Sequence, residues 1–468
     1  MPHPHTVPPA PQVMAALFAD YLQNVKPQGL SFGRYLRVIG FRNPARGQPC
    51  MDDDHMVAVD ESGLARIDIP HTPVLGELSV KVLLIDFPDR VGLVPPRHYE
   101  RMLFSRGVYP TGSMADFFDE VSHGRVGVGG RVHGWLRMPR DYAFYTNDES
   151  GTEWESYPRN APRMVEDAVR AAQEAGILFE PYLDKLGQGV VTALFVIHAG
   201  RGAEELHPSI SGSEIWSHKW QLRKPIRLTN GLFASMYLTV PQDCKVGVCA
   251  HELGHLAFQW QDFYDPNYDE DGWEWDGAGR WDLMAGGSYN GGGARPAHPA
   301  GLHKLQHGWI PVDEIAATHL EIALDPITSV DGRVLKLISP AYRAGQYLIL
   351  ENRARQGFDF DLPGQGLLVW RVDEAEEQTR PDRPGMLLIQ ADGRHHLENP
   401  NDWNQGDGGD PFPGTARRFE LTDSGGISTS FPGQPPSGIS LRNIRHDGDD
   451  GRVMLDILCE PPDGAWRP

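Results

Sequence analysis

The sequence predicts an α/β (α+β) unit followed by an antiparallel β-sandwich. Two apolar, β-branched stretches separated by amphipathic helices carry the first half of this reading. A change of texture after residue 314, to short apolar runs between turn residues, carries the second. At 468 residues the chain is long enough for two or three domains. The expected division is an N-terminal segment over 1–75, readable as a removable pro-region, an α/β unit over 76–313 and a β-sandwich over 314–468.

Taken in order, residues 1–75 are of mixed character, with a short helix around Val13 to Val25. The opening MPHPHTVPPAPQ lacks a basic n-region and an apolar core, so it does not read as a secretory signal. His3 and His5 read as part of a flexible, Pro-rich end rather than as a metal tract. The stretch CMDDDH, Cys50 to His55, reads first as an acidic loop, and second as a source of a thiolate or carboxylate that blocks a metal's open position. LSVKVLLIDFPD (78–89) and VVTALFVIHAG (190–200) read as buried strands. Between them come the amphipathic SMADFFDEVSHG (113–124) and a helix from Ala161 to Ala175, with Asn160 as N-cap and Pro162 in its first turn. SEIWSHKWQL (213–222) and SMYLTVPQ (235–242) follow, with His218 read as a satisfied core residue ahead of a ligand.

The stretch VGVCAHELGHLAFQWQDFYD (246–265) has helical period. At about 100° per residue His251 and His255 share one face, while Val246, Cys249, Ala250, Leu253, Ala257 and Trp260 fall on the other. One wet face and one buried face are expected, with Cys249 an inert buried thiol. Two imidazoles one turn apart can hold a single zinc ion, and Glu252 lies beside them as a base for metal-activated water. The third ligand must come from beyond the helix. Asp262 would lie ~10 Å past His255 along a continued helix, so the chain would have to curl back after Trp260; Asp265 is the alternative. The dense acids over 262–276 read as one zinc ligand plus a calcium site, or as a solvated acidic loop.

A net charge of -20 argues against a nucleic-acid partner and an anionic membrane surface. No apolar run reaches the ~18 residues a membrane span needs. Four cysteines are too few and too scattered for a disulfide framework. In the second half EIALDP, RVLKLIS, QYLILENR, GLLVWRVD, GMLLIQAD, GISLRNIR and RVMLDILCE read as strands. The charged stretch 372–385 reads as an exposed loop. The loop 397–414, with Asn399, Asn401, Asp402, Asn404, Asp407 and Asp410, reads as a calcium loop or an exposed turn cluster.

HELGH followed by QDFYD, GRWDLMAGGSYNGG (279–292) and HKLQHGWIPV (303–312) resembles the immune inhibitor A family of bacterial zinc metallopeptidases. The likeness extends upstream through SMADFFDEVSHGRVGVGGRVHGWL (113–136), IHAGRG and EIWSHKW. It extends downstream through YLILENRARQGFDFDLPGQGLLVWRVDE (347–374), QADG and GDGGDPFPG, covering about 78 to 460 in one order. The resemblance implies a zincin-like fold, zinc held by His251 and His255 with Asp262 as third ligand, and Glu252 as general base and acid. Met284 resembles a methionine turn packing beneath the metal, and Tyr289 is the nearest candidate for a second oxyanion donor. Arg371 stands where the family often has His. The implied activity is internal cleavage of protein or peptide substrates, with a secreted location; calcium as a structural ion is expected from the acidic clusters and the net charge. Two other classes stand beside it: a non-catalytic, calcium-stabilised binding protein on the same fold, and an intracellular peptidase that trims short peptides.

Overall fold

The computed structural model describes residues 3–41, 56–60, 63–67, 73–265, 275–376, 384–399, 403–448 and 451–460. The stretch Cys50 to His55, the acids from Asp269 to Glu274, and Asn401 and Asp402 lie outside the described residues.

The first half is built on a six-stranded sheet. Its strands are β1 (His5–Thr6), β4 (Gly76–Asp86), β5 (Val126–Arg137), β6 (Leu194–His198), β7 (His218–Arg227) and β8 (Phe233–Pro241); β2 (Met56–Asp60) and β3 (Gly63–Ile67) form a separate hairpin. The order is β1-β7-β8-β6-β4-β5. Strands β8, β6, β4 and β5 run parallel; at one edge β7 pairs antiparallel with β8, and β1 antiparallel with β7. The apolar run of β4 is buried on both faces, as expected of a central parallel strand.

Helices cover each face of this sheet. On one, the helix Ala161–Glu174 packs Met164, Val165, Ala168 and Val169 against Leu83, Ile85 and Val196. Asn160 caps that helix by accepting from the Arg163 N–H, and Pro162 sits in its first turn, where no intrahelical donor is lost. On the other, the helices Met114–Val121 and Val246–Phe258 pack against Val82, Leu84, Phe195 and Ile197. Ser113 and Asp116 form a reciprocal capping box on the shorter of these.

The second half contains β9 (Val312–Ile315), β10 (His319–Leu324), β11 (Val334–Leu337), β12 (Gln346–Arg353), β13 (Gly366–Asp373), β14 (Met386–Leu388), β15 (Ile439–Asp447) and β16 (Arg452–Cys459). A five-stranded sheet, β14-β13-β12-β11-β9, and a three-stranded sheet, β10-β16-β15, bury a common core that includes Leu335, Leu350, Val369, Leu441, Val453 and Leu455. The β9–β11 pair is parallel, so the larger sheet is mixed where an antiparallel one was expected. Its reverse face, with Ile349, Leu368 and Trp370, packs on Phe263 and Trp281 and on the N-terminal helices through Met14, Leu17, Phe32 and Leu36. The α/β unit, the N-terminal helices and the β-rich half therefore share apolar core.

A buried ion-pair network joins the halves at the end of β12. Arg353 is fully buried; its guanidinium meets Asp359 at 2.7 Å and Glu351 at 3.1 Å, and donates to the carbonyls of Trp281 and His298. Glu351 in turn accepts from the Trp370 indole and the Gly301 N–H. Replacing Arg353 by Met leaves two buried carboxylates without a counter-charge, which costs about 3–5 kcal/mol. Guanidinium unfolding reads this directly, and a loss below about 1 kcal/mol would contradict the assignment.

Candidate metal centre

All thirteen residues of the helix Val246–Phe258 are buried, so the expected wet face does not exist. His251, Glu252 and His255 are wholly inaccessible to solvent. The polar face is covered by the chain's own N-terminal residues, of which Pro4 and Thr6 to Ala10 are buried and His5 is half-buried.

The helix ends at Phe258 because Gln259 adopts a left-handed conformation, φ 56° and ψ 30°. This reversal supplies the curl that the sequence reading asked of Asp262. Trp260 N–H closes back on Gly254 O, and Asp262 returns to the imidazoles instead of lying about two turns beyond His255. Asp262 Oδ1 is 3.2 Å from both His251 Nε2 and His255 Nε2, and the two Nε2 atoms are 3.1 Å apart. Gly254 is required inside the motif. A Cβ there would come within 2.8 Å of the Trp260 ring and 2.9 Å of Met284 Sδ, which packs against the helix.

The other ring nitrogens fix the orientation. His251 Nδ1 donates to Leu283 O at 2.9 Å, and His255 Nδ1 to Trp260 O at 2.6 Å. With the proton on Nδ1, each Nε2 presents a lone pair to the same point. Four-coordinate zinc with ligands ~2.0–2.1 Å away separates neighbouring donor atoms by about 3.3 Å. The triangle of 3.1, 3.2 and 3.2 Å fits that ion.

The electrostatics agree. Burial works to raise the Asp262 carboxyl, but His255 and His251 outweigh it and hold it down at about 2. Burial lowers His255, keeping its imidazole neutral and ligand-competent. Glu252 is pushed well up by burial, then by the Asp262 and Glu204 carboxylates. Burial also raises Glu204, to about 7. Buried carboxyl groups converging beside the His251 and His255 rings form a site whose charge a divalent cation would compensate.

The N-terminal chain crosses this centre in extended form. β1 pairs antiparallel with β7, His5 opposite Lys219 and Thr6 opposite His218. Val7 N–H donates to Glu252 Oε1 at 2.9 Å, and Trp216 Nε1 donates to Val7 O at 2.9 Å. Tyr264 OH donates to Thr6 O at 2.6 Å, and Tyr289 OH to Pro8 O at 2.8 Å. The His5 ring lies 4.9 Å from that of His255, centroid to centroid. One donor atom each from His5, His255 and Asp262 lie within 4.8 Å of one another. Sequence reasoning missed His5 and Tyr264. His5 was set aside with the Pro-rich end, and its reach to the site is a long-range pairing that no local pattern encodes.

Other candidates fall elsewhere. His218 donates to or accepts from Trp216 O at 2.6 Å and Tyr237 OH at 3.0 Å, a satisfied core residue as expected. Asp265 is buried, and Asp262 is the acid whose oxygen meets both imidazoles. In the loop 403–414, Asp407 accepts from Asn404 and the Gly409 N–H, and Asp410 from the Trp281 indole and the Asp407 N–H. Asp392, His396 and Asp407 lie together there, and an imidazole in the set is not a calcium ligand of choice.

Residues 80–311 match the family model described as immune inhibitor A peptidase M6, catalytic domain. The chain carries an M6 peptidase catalytic domain. Among curated proteins it is similar to the pre-pro-metalloprotease PrtV of Vibrio cholerae, 29% identical over 297 residues, covering 52% of this chain and 32% of that one. It is also similar to immune inhibitor A of Bacillus thuringiensis subsp. alesti, 27% identical over 281 residues, covering 52% of this chain and 40% of that one. The chain thus spans well under half the length of these relatives. The M6 match encloses the helix Val246–Phe258, Asp262, Met284 and Tyr289, and leaves β1 and the second half outside.

Two substitutions separate the acids. Asp262→Ala should weaken zinc binding at least about tenfold in a chelator competition, while Asp265→Asn leaves it unchanged, with one zinc per chain in the parent. The reverse pattern would assign the site to Asp265.

Proposed function

We propose that this chain is a zinc-dependent endopeptidase in which His251, His255 and Asp262 hold the metal and Glu252 moves the proton. The observation that carries the reading is the donor triangle with Glu252 beside it, on a helix inside the M6 match. Bound zinc supplies Lewis-acid polarisation of a carbonyl and an acidified water.

The chain's own residues supply the rest. Glu252 Oε1 already receives a backbone N–H, that of Val7, which is the geometry for returning a proton to a leaving amide nitrogen. The carbonyl of that same Thr6–Val7 peptide accepts from Tyr264. A substrate lying in the same frame would therefore meet Tyr264 at its scissile carbonyl, as a donor to the developing oxyanion. Tyr289, expected for that role, binds the Pro8 carbonyl two residues further along, so in this frame it orients the substrate backbone.

Internal cleavage is supported by the path of the N-terminal chain, which lies across the site with backbone on both sides of Glu252. A substrate adding to β7 as an antiparallel strand would extend in both directions. We propose residues 76–313 as the catalytic unit, residues 314–468 as its β-rich support and protein segments in extended form as the substrates. A secreted location goes with this reading; among the described residues no helix is long and apolar enough to cross a membrane. Calcium draws no support from the described carboxylates of the 403–414 loop, whose hydrogen bonds hold the loop together.

Glu252→Gln should retain zinc and lose casein cleavage by a factor of about 10²–10⁴; undiminished cleavage would reject the mechanism. Tyr264→Phe should lower kcat about 10²–10³-fold with little change in KM, whereas Tyr289→Phe raises KM more than it lowers kcat. Steady-state kinetics on one fluorogenic peptide distinguish the two.

A further inference from the structure

The cleft over the helix Val246–Phe258 holds an extended backbone in two different ways. On one side of Glu252 the grip is a strand edge, with His5 opposite Lys219 and Thr6 opposite His218. That edge makes its last contact at the Val7 N–H, 3.4 Å from Ser217 O. On the other side the donors are side chains: Trp216 Nε1 gives to Val7 O at 2.9 Å, and Tyr289 OH to Pro8 O at 2.8 Å. Among the described residues the next backbone-to-backbone hydrogen bond is that of the Ala10 N–H to Glu204 O, at 2.9 Å. Pro8 and Pro9, both buried, lie between and have no N–H to give.

In the frame set by the Val7 N–H on Glu252, Val7 stands at the first position after the scissile bond, P1′, with Pro8 and Pro9 at P2′ and P3′. The Val7 side chain is wholly buried, in the apolar cluster that includes Trp216, Met236 and Leu238. We propose that Trp216 is a specificity-determining residue, and that this cleft selects substrates with an aliphatic residue at P1′ followed by proline at P2′ and P3′. This inference rests on the zinc-peptidase reading above and names its substrate class, proline-rich extended segments of proteins.

Each part follows from the contacts. A carboxylate at P1′ would be buried among apolar side chains and beside Glu252, so it is rejected. Every residue carries a carbonyl, proline included, so an indole and a phenol can hold the backbone whether or not it has an N–H. A continued strand edge could not, because a ladder needs N–H groups that proline lacks. Proline also presets φ at about −65°, so a Pro-Pro segment reaches the cleft with less conformational entropy to lose.

Quenched fluorescent peptides centred on Thr-Val-Pro-Pro-Ala, Thr-Val-Ala-Ala-Ala and Thr-Asp-Pro-Pro-Ala test this. The enzyme is the full chain carrying Val7→Asp, whose own segment no longer matches P1′. For the Val-Pro-Pro peptide kcat/KM should be at least about threefold above Val-Ala-Ala and at least about 100-fold above Asp-Pro-Pro, with the cut mapped by mass spectrometry to the Thr-Val bond. Adding Trp216→Phe, which keeps an aromatic ring and removes the donor, should raise KM for Val-Pro-Pro at least about fivefold and change kcat less than about twofold. Faster cleavage of Val-Ala-Ala than of Val-Pro-Pro, equal cleavage of Asp-Pro-Pro, or a KM unmoved by Trp216→Phe would overturn the proposal. Binding of the three peptides in the predicted order, read by fluorescence anisotropy, with no cleavage of any peptide or of casein would keep the subsites and reject the peptidase reading instead.

Discussion

Two imidazole nitrogens 3.1 Å apart, each with its proton committed to a backbone carbonyl on the far side of the ring, constrain everything around them. Lone pair faces lone pair, and an acid at 3.2 Å from both adds charge to the same point. In a buried setting such a contact is favourable only when a cation lies at its centre. The surrounding structure holds the three donors in that relation.

Each support acts through a specific link. The left-handed Gln259 ends the helix and returns the chain, which brings Trp260 O to His255 and Asp262 to both imidazoles. Gly254 admits Met284 and the Trp260 ring beneath the motif. The loop that carries Met284 and offers Leu283 O to His251 is fastened from the second half, where Arg353 grips Trp281 O and Asp410 grips the Trp281 indole. The β-rich half thus supports the loop beneath the two imidazoles.

Much of this was legible in the chain itself. The apolar runs at β4 and β6, the capped helix at 161–174 and the spacing of His251 and His255 all depend on local periodicity, and local periodicity is what a sequence displays. The solvent exposure of the motif helix was misjudged because a polar face reads the same whether water or another segment covers it. Here the cover is His5 to Ala10, some 245 residues away in sequence, as the Val7–Glu252 bond spans. The parallel β9–β11 pair escaped for the same reason, since alternation reports a strand's faces and not its neighbours. The approach of Asp262 to both imidazoles turned on a single backbone reversal at Gln259, a residue without a strong left-handed preference.

The central claim is that one zinc ion sits at the convergence of His251, His255 and Asp262. Anomalous scattering at the zinc edge from crystals of the full chain tests it most directly. The account predicts a single strong peak ~2.0–2.2 Å from His251 Nε2, His255 Nε2 and an Asp262 carboxylate oxygen. A peak bonded to Asp265, or none between the two imidazoles after zinc loading, would contradict it.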